Sequence, residues 1–150
     1  MAGDSYPGTA EAKDDRLLLV RKLAGAVAVV FLLAGIAGFI PGITTHYGDL
    51  TFAGHGSGAK LFNVFQVSIL HNLVHLAFGV VGLLMARTVP GARLFLVGGG
   101  AVYLVLWLYG LVIDHGSGAN FLPVDGADNW LHLGLGLGMI VLGLASGERD

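Results

Sequence analysis

Two short stretches of this sequence carry side chains able to hold a metal ion or a cofactor. One reads His71-Asn72-Leu73-Val74-His75-Leu76 and the other Asp128-Asn129-Trp130-Leu131-His132-Leu133. An Asn-x-x-His spacing puts an amide and an imidazole on one helix face, one turn apart. His71 and His75, four residues apart, also share a face and could offer two nitrogens to a divalent ion. With Asp128 and His132 they make a mixed nitrogen and oxygen set that suits zinc. A second chemistry uses His75 and His132, flanked by Asn72 and Asn129, as two neutral imidazoles facing each other across a bundle. Such a pair could ligate haem or another transition metal, with Gly79 and Gly136 one turn deeper leaving room for a macrocycle.

The same residues have a reading without any ligand. On one helix face lie Asn72, His75, Gly79 and Gly82, and on the other Asn129, His132, Gly136, Met139 and Gly143. In membrane helices small residues let backbones approach, and Asn or His side chains hydrogen-bond across the contact. The stripes are then packing seams, either between the second and fourth helices or between each of these and its own hairpin partner. His71 and Asp128 fall at the third position of their helices, where the helix dipole alone favours an acid. Asp125 and Asp128 have capping-box spacing, which needs no metal.

No catalytic residue emerges. His55-Gly56-Ser57-Gly58-Ala59 and His115-Gly116-Ser117-Gly118-Ala119 place a His, not a Gly, two residues before the serine, so neither is a nucleophile elbow, and they read as tight turns with exposed histidines. Cysteine is absent, which excludes disulfides and thiolate chemistry. A net charge of -2 excludes a basic nucleic-acid binder.

These side chains must be positioned by membrane helices. Only 12% of the 150 residues are charged, against about 25% in soluble domains, and the mean hydropathy is +0.77. Four stretches carry at most one Lys, Arg, Asp or Glu over a length able to span a bilayer: Leu23 to about Ile40, Ile69 to Ala86, Leu94 to Ile113, and about Gly126 to Ser146, which holds Asp128 near its start. Seven of the eight basic residues flank one side of these spans and Lys60 alone lies on the other, which puts both termini in the cytoplasm. Residues 1–16 read as a disordered tail without the features of a signal peptide. Residues 17–147 form one four-helix transmembrane domain, and all six histidines fall in its outer half or outer loops.

The identical pentapeptides and the two Asn-x-x-His stretches point to an internal duplication, with repeat 1 over about 17–87 and repeat 2 over about 93–147. Each repeat is helix, outer loop, helix, so the expected fold is all-α, a bundle of two parallel helix–loop–helix repeats. Ser68 and Asp125 stand at equivalent points as helix N-caps. The pattern HNLVHLAFG with its echo DNWLHLGLG, in a four-span chain, resembles the bacterial membrane proteins grouped as domain of unknown function 4383, over roughly Leu17 to Ala145. The resemblance implies the four-span topology and brings no activity with it. The resulting expectation is a structural or accessory protein of the bacterial plasma membrane. Its partners are the lipid bilayer and either further copies of itself or a larger membrane complex. The alternatives are the outer histidine site for zinc or haem, and a lipid or small-molecule binder in an outer vestibule between the repeats.

Overall fold

The computed structural model describes residues 7–145. Four helices dominate: α1 (Pro7–Ala37), α2 (Ile69–Met85), α3 (Val89–Val112) and α4 (Gly126–Ala145). Three of them are long and apolar enough to cross a membrane, over Glu11–Ala37, Val89–Val112 and Gly126–Ala145, while α2 is a shorter apolar helix of 17 residues. At about 1.5 Å per residue α2 is close to the lower length limit for a span. α1 begins well before residue 17. Residues 7–16 continue the helix instead of forming a disordered tail, and good helix formers such as Ala, Glu, Lys and Arg allow this. Residues 1–6 of that expected tail, and Ser146 at the expected end of the fourth span, lie outside the described residues.

The helix starts follow their caps. The Ser68 hydroxyl accepts from the His71 amide at 3.1 Å, and Thr88, with Pro90 just inside α3, accepts from the Gly91 amide at 3.2 Å. The last carbonyl of α1, that of Ala37, accepts from the Thr44 hydroxyl at 3.0 Å.

α1 packs antiparallel to α2, and α3 to α4. The two hairpins meet mainly along α1 and α3. On α1 the buried stripe is Val20, Ala24, Ala28 and Phe31, at helical spacing. On α3 it is Ala92, Leu96, Gly100 and Tyr103, each 72 positions after its α1 equivalent. Small residues bring the backbones together inside each hairpin. A methyl group on Gly79 would lie 2.8 Å from the Ala28 carbonyl oxygen, and one on Gly100 would lie 2.7 Å from that of Gly136. The outward surface is apolar, with Val30, Leu33, Leu94, Val105, Val141 and Leu144 all exposed. So large an exposed apolar surface suits a hydrocarbon solvent.

The all-α expectation omits one feature. Between α1 and α2 the chain forms a small antiparallel sheet of β1 (Thr44–Thr45), β2 (Lys60–Leu61) and β3 (Phe65–Gln66), in that order. Its buried Ala59, Leu61 and Val67 pack on Ala34 and Ala37 at the end of α1. Strands of two residues show no alternation, so the pattern was invisible in the sequence.

The glycine contacts give a contrast that thermal unfolding can measure. Gly100→Ala, placed against backbone, should destabilise the protein by about 1–3 kcal/mol. Gly134→Ala on α4, where an added methyl meets nothing within 4 Å, should leave the midpoint unchanged or raise it slightly.

Candidate functional site at the histidine-rich end of the bundle

Each asparagine of the paired motifs sits inside its own hairpin. Asn72, 1% exposed, lies against Gly38 at the end of α1, so closely that a methyl group there would overlap its carboxamide. Asn129 lies against Gly110 near the end of α3 in the same way. Gly38 and Gly110 are again 72 positions apart, while Asn72 and Asn129 are 57 apart. The stripes therefore pack against the hairpin partners α1 and α3, and α2 and α4 share no extended seam. Asn72 Nδ2, Asn129 Oδ1 and His132 Nδ1 are buried and make no hydrogen bond among the described residues.

The histidines are tied to aromatic rings. His75 meets Phe31 edge-on with centroids 5.7 Å apart, and His132 meets Tyr103 likewise at 5.3 Å. Phe31 and Tyr103 in turn stack on each other at 5.3 Å, where α1 and α3 meet. His75 and His132 are thus connected through two aromatic side chains, and no direct ring contact joins them among the described residues.

His71 and Asp128 occupy equivalent places and reach across to the opposite outer loop. Asp128, 2% exposed, accepts through Oδ2 from the Gln66 amide of β3 at 3.0 Å and from the Asp125 amide at 3.1 Å. His71 interacts on one side with the Pro123 backbone, outside good hydrogen-bond geometry, and Pro123 is the residue 57 positions after Gln66. The two contacts are reciprocal. Where the opposing backbone offers an N–H the site holds a carboxylate, and where proline offers only a carbonyl it holds an imidazole that can donate.

The expected metal set is brought together only in part. His71 Nε2 and His75 Nε2 are 3.2 Å apart. Asp128 is engaged by backbone amides, and among the described residues no group of three or more His, Asp or Glu side chains has the geometry to hold a metal ion. Sequence reasoning missed Phe31, Tyr103, Gly38 and Gly110. The signal that could have found them is the 72-residue offset between α1 and α3, which carries only scattered identities such as Gly38 and Gly110 and no identical run like the pentapeptides.

The outer loops close over this end. Lys60 pairs with Asp125 at 3.2 Å, and the Gly54 amide donates to the Phe121 carbonyl at 2.7 Å. Asp125 Oδ1 caps α4 by accepting from the Ala127 and Asp128 amides at 2.8 and 3.0 Å. Partial burial pushes the Asp125 carboxyl upward. The Asp128 backbone and side chain and the Lys60 ammonium outweigh this and hold it below the usual carboxylate range. The two identical pentapeptides differ in setting. Ser57 is buried and donates to the Val67 carbonyl at 2.6 Å, while half-buried Ser117 donates to the Asp114 carbonyl at 2.8 Å. His46, His55 and His115 are exposed. The His115 ring lies 2.8 Å from the Gly110 carbonyl.

The family model described as Domain of unknown function (DUF4383) matches residues 21–145. The chain belongs to that family. The match takes in all of α2, α3 and α4, both outer loops and every residue of the site described above. No curated protein and no solved structure matches the chain. The long apolar helices make this DUF4383 member a membrane protein.

Two kinds of outer contact should separate in thermal melts. Asp128→Ala strands two amides and should cost about 1–3 kcal/mol. Lys60→Met breaks a partly exposed ion pair and should cost less than about 1 kcal/mol. Because the Asp125 pKa is depressed in the fold, its contribution is present at neutral pH. It should be fully present above the ordinary aspartate range and be lost progressively as the pH falls from that range through the lower folded value. A wild-type-minus-Asp125→Ala stability difference that vanished already near neutrality would contradict this.

Proposed function

We propose that this protein is a four-span bundle of two duplicated helix–loop–helix units, with both termini on the cytoplasmic side of a bacterial plasma membrane. It acts there as a structural or accessory component, assembling with further copies or with a larger membrane complex. One observation carries the reading: the asparagines of both Asn-x-x-His stripes are packed inside their own hairpins, Asn72 on Gly38 and Asn129 on Gly110. The equivalent burial of positions 72 apart in α1 and α3 supports the duplication. The one-sided distribution of Lys and Arg supports the orientation.

The natural absence of cysteine makes topology directly testable. In intact cells a membrane-impermeant maleimide should label Gly56→Cys and Gly116→Cys. It should label Ser5→Cys and Arg87→Cys only after permeabilisation. Labelling of Gly56→Cys and Gly116→Cys from opposite sides would overturn the four-span reading.

The pair of imidazole nitrogens at 3.2 Å on His71 and His75 favours a second reading, a metal centre at the outer end with His132 close by. Metal analysis and an absorption spectrum of the purified protein separate the two. The structural reading expects no stoichiometric metal, no Soret band, and a His132→Ala variant that loses only thermal stability. Stoichiometric zinc or a Soret band that disappears in His75→Ala would establish the second.

A further inference from the structure

We infer that the cleft between α1 and α4 holds an acyl chain of an anionic phospholipid, with its headgroup at Lys22. The inference rests on the membrane-spanning reading above, which the maleimide experiment tests separately. The cleft has a volume of about 330 Å³ and is lined by ten residues, among them Leu23, Phe31, Gly134, Leu135, Gly138 and Met139.

The opposite seam, between α2 and α3, shows what this place in the fold requires. Shifting α1 by 72 positions and α2 by 57 turns Leu23 into Phe95 and Leu135 into Phe78, and Gly138 corresponds to Val81. Phe78 and Phe95 lie ring to ring at 5.2 Å, and Phe78 also meets Tyr103 at 5.6 Å. They fill their seam so fully that a methyl group on Gly82 would come within 2.5 Å of the Phe95 ring. In the α1–α4 seam two leucines and two glycines stand instead. A methyl group on Gly134 or Gly138 would meet nothing within 4 Å. Met139 and Val27 stand where the filled seam has Gly82 and Gly99, so the cleft stays open on its outward side, along exposed Gly134 and Gly138.

The occupant's chemistry follows from the walls and from their end. The lining residues named above are apolar, so the part inside is hydrocarbon. The volume lies in the range of ligand pockets, about 300–1,000 Å³. Lys22 is exposed and stands one turn before Ala26, another lining residue, on the same face of α1. Arg21 beside it donates to the Ala86 carbonyl at 3.2 Å. A cationic side chain at the mouth of an apolar cleft selects an anionic headgroup over a zwitterionic one.

Native mass spectrometry of the full chain in detergent, with dioleoyl phosphatidylglycerol or phosphatidylcholine added, tests the inference. Wild type should keep one phosphatidylglycerol adduct in preference to phosphatidylcholine. Lys22→Ala should lower that preference about fivefold, as expected for one basic side chain at a lipid surface. Leu135→Phe with Gly138→Val, which copies the filled seam, should remove both adducts while keeping or raising the melting temperature. Gly138→Val alone enters open space and should weaken both adducts in a folded protein. Equal binding of the two lipids by wild type would overturn the inference. So would adducts that survive the filled seam, or a dimer that the filled seam abolishes without any change in lipid.

Discussion

The structure depends on placing carboxamides and imidazoles inside helix pairs whose surroundings offer no water. A buried polar group without a partner costs several kcal/mol in hydrocarbon. The fold encloses such groups where helix backbones come very close, Asn72 at Gly38 and Asn129 at Gly110, and leaves Asn72 Nδ2 and Asn129 Oδ1 without a hydrogen-bond partner among the described residues. Close approach in turn requires small residues along the rest of each seam, at Gly79 and Gly82 in one hairpin and at Gly100 and Gly136 in the other. The high glycine content is therefore a property of the helix contacts as well as of the turns.

From that constraint the outer end follows. With the hairpins closed, Phe31 and Tyr103 are left to meet at the α1–α3 contact, and each holds one histidine edge-on. The helix starts then face the opposite loop, where Asp128 accepts from the Gln66 amide and His71 lies beside the Pro123 backbone. The β1–β3 sheet and the Lys60–Asp125 pair cover the result. The proposed duplication thus places the same buried carboxamide on a glycine twice. The two seams between the hairpins need not match, and the α1–α4 side is the one left open.

Much of this was legible in the sequence. Continuous apolar runs marked the helices, Ser68 and Asp125 marked two starts, and the shared pentapeptides and Asn-x-x-His motifs pointed to equivalent sites. Which partner the stripes face was not legible. A helical face is defined by spacing, but its neighbour is chosen by fit, and Gly38 and Gly110 look like ordinary glycines until Asn72 and Asn129 are seen against them. The idea of His75 and His132 facing each other failed to anticipate Phe31 and Tyr103, because aromatic residues in an apolar run carry no positional signal. Residues 7–16 read as a tail because their polarity was weighed above their helix propensity.

The central claim is that each asparagine is a packing element lodged on a glycine of its own hairpin. A double-mutant cycle on Gly110 and Asn129, read as the free energy of unfolding in detergent, tests it most directly. Gly110→Ala should be strongly destabilising in the wild-type background, because the new methyl meets the carboxamide. It should cost much less in an Asn129→Ala background, where that group is gone. Equal costs in the two backgrounds would contradict the account.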